Sequence, residues 1–322
     1  MSVGQDIGAV VIGRNEGQRL IDCLTSLEGQ VSRIIYVDSG STDGSQEAAQ
    51  TRGVEVITLD TTIPFTAARA RNAGLARLTE TGSAPALVQF MDGDCVLDPD
   101  WIAAATGFLD AHPEVAVVCG RRRERFPDAT VFNRLIDQEW DTPIGEARSC
   151  GGDALMRVAA LTQVGGYNPG LIAGEEPELC VRMRAAGWKV WRLDHEMTLH
   201  DAAITRVGQW WQRTRRAGHA YAEGAALHGA PPERHNIAPL RRALLWGVVL
   251  PGLTLLALLI WLPLGVFLLL IWPLQVLRLR RRYGDTSMAL AMTFGKLAEA
   301  QGALTYWWRR LIGKRSRLIE YK

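Results

Sequence analysis

Short apolar runs and amphipathic stretches alternate along the first 120 residues. Ala9–Ile12, Arg33–Val37, Val54–Leu59, Ala86–Met91 and Val115–Cys119 are rich in β-branched and apolar side chains and predict strands. Residues 17–28, 43–52, 66–80 and 100–111 carry helical spacing between them. Such alternation predicts an α/β fold, a mostly parallel sheet with helices on both faces. Polar clusters follow three of the strands: Gly13-Arg14-Asn15-Glu16, Asp38-Ser39-Gly40-Ser41 and Asp92-Gly93-Asp94. Ligands of open α/β sheets collect at the strands' carboxyl ends, so these loops predict a common site.

A less regular section covers residues 120–238. Gly151-Gly152-Asp153, Gly165-Gly166-Tyr167 and Gly174-Glu175-Glu176 mark turns there, before a helix expected at 177–186. It is expected to extend the sheet. Ala243–Leu277 is then free of charge over 35 residues. One helix of that length would span about 52 Å against a hydrocarbon core of about 30 Å. Arg241-Arg242 precede the run and Arg278, Arg280, Arg281 and Arg282 follow it, so both ends are expected on the cytosolic side of a hairpin turning near Leu262-Pro263-Leu264-Gly265. Trp246 and Trp272 would face the cytosolic interface, with Trp261 at the turn. Beyond it, Leu297, Leu304, Trp308 and Leu311 form one stripe of a helix over 286–312, suited either to the membrane surface or to packing on the catalytic domain. The domains read 1–238 (halves 1–119 and 120–238), a membrane hairpin over 239–282, and a basic amphipathic helix over 283–322.

Charge sharpens this division. The net charge is only +2, yet residues 241–322 carry 13 Lys/Arg against three Asp/Glu, and residues 1–240 carry 23 against 31. A basic tail beside an apolar run points to anionic lipids as partners and away from nucleic acid, for which no stacking platform or zinc spacing is present. The five cysteines are odd in number and form no CxxC, so reduced thiols are expected. The first residues hold no basic stretch followed by an apolar segment and cleavage site, and the catalytic domain is expected in the cytosol at the inner face of the cell membrane.

Two carboxylates flanking one glycine directly after a buried strand suit a hard divalent cation, although Asp-Gly-Asp alone is also an ordinary turn. Its setting decides between them. Val10–Glu16, Ile35–Asp43, Ala70-Arg71-Asn72-Ala73-Gly74, Met91–Asp94 and Gly174–Arg182 occur in an order and spacing that resemble the family 2 glycosyltransferases of GT-A fold, over about residues 8–200.

The resemblance implies a donor site in which Asp38 contacts the nucleotide base, Arg71 holds the nucleotide, and Arg14 reaches the same pocket. It implies Asp94 as the main metal ligand, Asp92 as a ribose or metal contact, and His200 as a third metal contact, with Mg²⁺ or Mn²⁺ both acceptable. Glu176 is the candidate catalytic base, with Glu175 beside it; the family commonly has Glu-Asp here, so the base is one methylene longer. Asp153 is expected to line the sugar or acceptor pocket or to serve its turn. Asp43 and Thr42 are read as the cap of the next helix. Trp210, Trp211, Arg213 and Arg216 fit an amphipathic helix at the bilayer or a packed core.

The implied activity is inverting transfer of a sugar from a nucleoside-diphosphate sugar to a hydroxyl of a lipid-linked or membrane-proximal glycan acceptor in envelope or exopolysaccharide synthesis. Transfer to polyprenyl phosphate is the alternative, and a catalytically silent membrane assembly factor of the same fold a second. A nucleotidylyltransferase would want a glycine-rich basic first loop, which Gly13-Arg14-Asn15-Glu16 lacks.

Overall fold

The computed structural model describes residues 7–80, 84–314 and 319–320. Two compact units divide them: one holds the described residues up to Phe126 together with Ile136–Ala202, the other Pro127–Leu135 with the described residues from Ala203 onward.

In the first unit the elements run β1 (Ile7–Gly13), α1 (Gln18–Leu27), β2 (Arg33–Asp38), α2 (Ser45–Thr51), β3 (Glu55–Thr58), α3 (Ala67–Thr79), β4 (Leu87–Asp92), β5 (Cys95–Leu97), α4 (Trp101–Ala111) and β6 (Val115–Glu124). They continue with α5 (Val131–Trp140), whose chain passes from the second unit to the first, then β7 (Gly145–Ala147), β8 (Ala154–Arg157), α6 (Val158–Val164), α7 (Glu175–Ala185) and β9 (Lys189–His200). The sheet order is β3-β2-β1-β4-β8-β6-β9-β5, with β7 on β9. The first four strands are parallel, as the alternation predicts. Beyond them the sheet is mixed, because β8 runs antiparallel to both β4 and β6.

Val10, Val11, Ile35, Val37, Val88 and Phe90 are fully buried, so the sheet core is the run of apolar strands read from the sequence. Register brings three loops together: Gly13 pairs with Asp38 and Ile12 with Asp92, so the polar residues ending β2 and β4 flank the end of β1.

Three boundaries differ from expectation, each for a local reason. β6 runs past Cys119 to Glu124, through Arg121-Arg122-Arg123, because carboxylates neutralise each of these arginines in place. α7 begins at Glu175, since Gly174 adopts φ 78°, a left-handed conformation that glycine accepts without strain, immediately before it. The apolar hairpin breaks at Trp261, one residue before the expected turn; Pro263 lies in the first turn of the next helix, where its missing N–H is not needed.

The second unit is helical: α8 (Val207–His228), α9 (Ile237–Leu244), a π-helical turn at Leu245–Val249, α10 (Leu250–Ile260), α11 (Leu262–Leu269), α12 (Ile271–Tyr283) and α13 (Thr286–Leu311). Ile237–Ile260 and Leu262–Tyr283 are long and apolar enough to cross a membrane, and most of their side chains are exposed. Gly265 sits against Leu258, which lets the two arms pack closely, and Trp246 meets Trp272 at 5.9 Å. α13 starts at Asp285, whose carboxylate accepts the amides of Ser287 (2.7 Å) and Met288 (3.1 Å). Its buried face is made of small residues, Ala289, Gly295, Ala298, Gly302 and Ala303, whereas Leu304, Trp308 and Leu311 of the expected stripe face outward. Trp210 belongs to a core, stacked on Phe132, and Trp211 donates to Gln301.

Candidate active site

The site grows from the carboxyl ends of β1, β2 and β4, and from β6, β9 and the start of α7, all within the first unit. Arg71 is at its centre. α3 carries this arginine on its buried face, 2 % exposed, and its guanidinium donates to Asp92 Oδ1 at 2.9 Å and Glu175 Oε1 at 3.2 Å, and pairs with Glu176 Oε1 at 2.6 Å. Tyr167 lies beneath it, with the ring centroid 5.6 Å from the guanidinium carbon. Gly152 makes the bridge possible, because a Cβ there would fall 2.6 Å from Arg71 Nη2 and 3.0 Å from Asp92 Oδ2.

A second arginine, Arg122, completes the cradle of Asp92. Its Nη2 donates to Asp92 Oδ2 at 3.1 Å, its Nη1 lies 3.4 Å from Asp153 Oδ2, and it stacks on Trp140 at 4.7 Å. Burial alone would raise the Asp92 carboxyl, but Arg71 and then Arg122 outweigh it and hold the group below its ordinary value. Asp153 is buried behind Asp92, accepting the Asp92 amide at 3.1 Å and the Thr198 hydroxyl at 2.8 Å. In this arrangement it positions Asp92.

The two aspartates of the motif therefore have different surroundings. Asp94 turns to His200, with Oδ1 3.2 Å from Nε2, and both residues are buried. His200 arrives from the end of β9, where it pairs in register with Cys95 and with Glu124. Glu124 Oε2 stands 4.0 Å from His200 Nδ1, and Trp140 meets the imidazole edge-on at 4.7 Å. Ligand atoms of Asp94, Cys95 and His200 all fall within 4.8 Å of one another. Burial pushes the Cys95 thiol well above its ordinary value, and beside it the Asp94 carboxylate oxygen and the His200 imidazole nitrogen form a donor pair. That pair fits a borderline or hard divalent ion.

Glu176, in the first turn of α7, is pushed up to about 7 by burial and then by the charge of Glu175. Asp38 is fully buried, and its oxygens accept from the Tyr36 hydroxyl (2.9 Å), the Gly40 and Ser41 amides (2.9 Å each) and Gln46 Nε2 (2.7 Å). It shapes the loop after β2, with three of these bonds on Oδ2 and only the Tyr36 hydroxyl on Oδ1. Arg14 lies over the Phe65 ring at 4.9 Å. Asp43 Oδ1 accepts the Ser45 amide at 3.0 Å, but the N-cap of α2 is Gly44, with no side-chain cap bond, and the Thr42 amide donates to Asn15 Oδ1 at 2.8 Å, so neither residue is the expected cap.

Sequence reasoning missed Arg122, Glu124, Trp140 and Thr198. Arg122 and Glu124 share one face of β6, by strand alternation, so extending that strand through its charges would have found both.

This fold, a sheet with an Asp-Gly-Asp loop and a facing acidic helix start, defines a GT-A glycosyltransferase. Residues 9–159 match Glycosyl transferase family 2. It is 26% identical over 319 residues to the succinoglycan biosynthesis protein ExoA of Rhizobium meliloti (strain 1021), covering 94% of this chain and 91% of that protein. Among solved structures it resembles the mannosyltransferase PcManGT from Pyrobaculum calidifontis in complex with GDP-Man and Mn²⁺, at TM-score 0.62 and 17% identity, over 96% of this chain and 89% of the other. S. aureus TarS 1-349 is similar at TM-score 0.53 and 13% identity, over 99% and 97% of the two chains.

Proposed function

We propose that the chain transfers a sugar, with inversion, from a nucleoside-diphosphate sugar to a hydroxyl of a lipid-linked or membrane-proximal glycan acceptor, at the cytoplasmic face of the cell membrane. The observation that carries this reading is the Arg71 bridge: one guanidinium touches Asp92 of the Asp-Gly-Asp loop and Glu176 of α7, so a candidate base and the metal motif lie one side chain apart. The similarity to a succinoglycan biosynthesis protein and the two long apolar helices support an envelope or exopolysaccharide glycan as product.

Asp94 and His200 would hold the divalent ion, Mg²⁺ or Mn²⁺, the imidazole favouring Mn²⁺. When bound, the ion supplies positive charge against the departing diphosphate. Glu176 accepts the acceptor hydroxyl proton as that oxygen bonds to the anomeric carbon and the bond to the diphosphate oxygen breaks. Asp92, fixed by Arg71, Arg122 and Asp153, faces the donor ribose. Asp38 and Arg14 belong to the base pocket, Asp38 through the loop it shapes.

A base with its pKa near 7 matches proton abstraction from a hydroxyl, whereas polyprenyl phosphate as acceptor is already anionic and needs no base. The intact Asp94, His200 and Glu176 oppose a silent assembly role. Melting of the full chain with nucleoside diphosphates and Mn²⁺ or Mg²⁺ tests the donor site. A metal-dependent rise that disappears in Asp94→Ala is expected, and no rise with any nucleoside diphosphate would sink the reading.

A further inference from the structure

The second unit contains a polar cavity that sugar transfer does not employ. α8 and α13 cross at Gly218 and Gly302, where a Cβ would fall 1.9 Å from Glu299 O and from Arg215 O respectively. Beside that crossing lies a cavity of about 200 Å³, lined from α8 by Gln212, Arg215 and His219, from α13 by Thr305 and Arg309, and by Ile319 and Glu320. Residues 212, 215 and 219 recur at i, i+3 and i+7, and 305 and 309 at i and i+4, so each helix contributes one stripe.

The donors on this wall are poorly met. His219 is 1 % exposed and neither ring nitrogen makes a hydrogen bond; the nearest carboxylate oxygen, Glu223 Oε2, is 3.5 Å from Nδ1. Arg215 Nε is buried without a hydrogen-bond partner, and its Nη1 reaches Gln212 Oε1 only at 3.4 Å. An unmet buried donor costs about 1–3 kcal/mol, so such a cluster is best explained by something that fills it. Burial, then Arg309, Arg215 and Arg216, push His219 down to about 4, and it is neutral at pH 7. Among the described residues lining the cavity, two guanidiniums face one carboxylate, that of Glu320, with Glu223 beside His219.

An apolar ligand would leave these donors unmet and a cation would be repelled. A tetrahedral oxyanion presents acceptors on every side, and arginine pairs with it through two N–H groups. The volume is below the ~300–1,000 Å³ of ordinary small-molecule pockets, which suits a head group and not a sugar nucleotide.

We propose that this α8–α13 cavity is a phosphomonoester-binding site, distinct from the donor site and independent of the transfer reaction. The phosphate has two possible sources, free phosphate or a lipid head group. The last turns of α13 expose Trp307, Trp308, Leu311 and Ile312 around Arg309 and Arg310, a composition found at membrane interfaces.

Calorimetric titration of the full chain in neutral detergent, without sugar donor, tests this with inorganic phosphate and with short-chain phosphatidic acid. Saturable binding of at least one is expected. Loss of one charge-assisted pair in Arg309→Gln should weaken it about tenfold, and Glu320→Gln, which removes a lining carboxylate without touching the helix crossing, should tighten it several-fold. Binding of phosphatidic acid alone assigns a lipid head group, and comparable binding of both assigns the phosphate itself. No saturable binding of either probe, or affinity unchanged in both variants, overturns the site. Because no donor or metal enters the titration, its failure is separate from failure of the glycosyltransferase reading.

Discussion

At the scale of single residues, the site is a charge imbalance. Arg71 and Arg122 face four carboxylates, Asp92, Asp153, Glu175 and Glu176, in a buried volume. Two positive charges do not neutralise four negative ones, and Glu176 is where a proton is retained, its pKa raised from 4.5 to about 7. Two outcomes follow. Turnover should rise with pH through about 7 as Glu176 ionises, and Glu176→Gln should lower it by roughly 10²–10⁴-fold while nucleoside diphosphate binding persists. Stability moves the other way. A carboxyl whose folded pKa is raised contributes stability below its unfolded value, and loses it as pH rises from about 4.5 to 7. Glu176→Gln does not titrate, so its melting temperature should gain on the parent between pH 5 and pH 8, by up to about 3 kcal/mol of relative stability. A constant difference across that range would show that Glu176 is ionised throughout. Arg122 yields a separate expectation. Arg122→Met leaves Asp92 and Asp153 short of a buried partner and should cost about 3–5 kcal/mol, seen in denaturant unfolding, with donor affinity lost alongside. Asp92, Asp94 and Glu176 stand at the end of a predicted strand or beside the start of a predicted helix, whereas Arg71, inside a predicted helix, is singled out by the family resemblance alone. Arg122 was not legible, because three consecutive arginines read as a solvated surface until the partner acids are known.

Elements show the same limit from another side. The strands β1, β2 and β4 and helix α1 were readable because each buries one continuous apolar face, and that pattern is local. β8 and β9 were not predicted. Half of β9 is charged or polar, and its place depends on β5, β6 and β7, distant in sequence. For α13 the reading chose the large apolar stripe, yet the helix buries its small residues against α8. Close backbone approach makes glycine and alanine the packing face, a signal that hydrophobicity scales do not carry. Gly302→Ala tests it directly: a helical propensity gain of about 1 kcal/mol should be outweighed by overpacking of about 1–3 kcal/mol, since Arg215 O would lie inside contact distance. Limited proteolysis should then cut α8 or α13 sooner than in the parent. Unchanged or slower cleavage would place α13 elsewhere.

For the molecule as a whole, the question is what covers the apolar hairpin. Leu259 is 85% exposed and Leu255, Ile260, Leu262 and Phe267 are exposed with it, an apolar surface that water does not tolerate over two helices. Ile237–Ile260 has 24 residues and Leu262–Tyr283 has 22, about 36 and 33 Å as helices, so each arm reaches across a core of about 30 Å. The second arm runs to Tyr283, where Arg280, Arg281 and Arg282 fall in the last turn. Such arginines reach the lipid head groups from inside the span. Both arms spanning returns the chain to the side it left. All five cysteines are buried, so single surface cysteines report topology without background from native thiols. Arg281→Cys should react with an impermeant maleimide only from the cytoplasmic side, in inverted vesicles, and Trp261→Cys only from the opposite side, in right-side-out vesicles. Labelling of both positions from the cytoplasmic side alone would instead make the hairpin re-entrant. The break at Trp261, where the helix gives way to one extended residue, is what allows either arm to end within the bilayer's far interface, and the labelling decides how deep it sits.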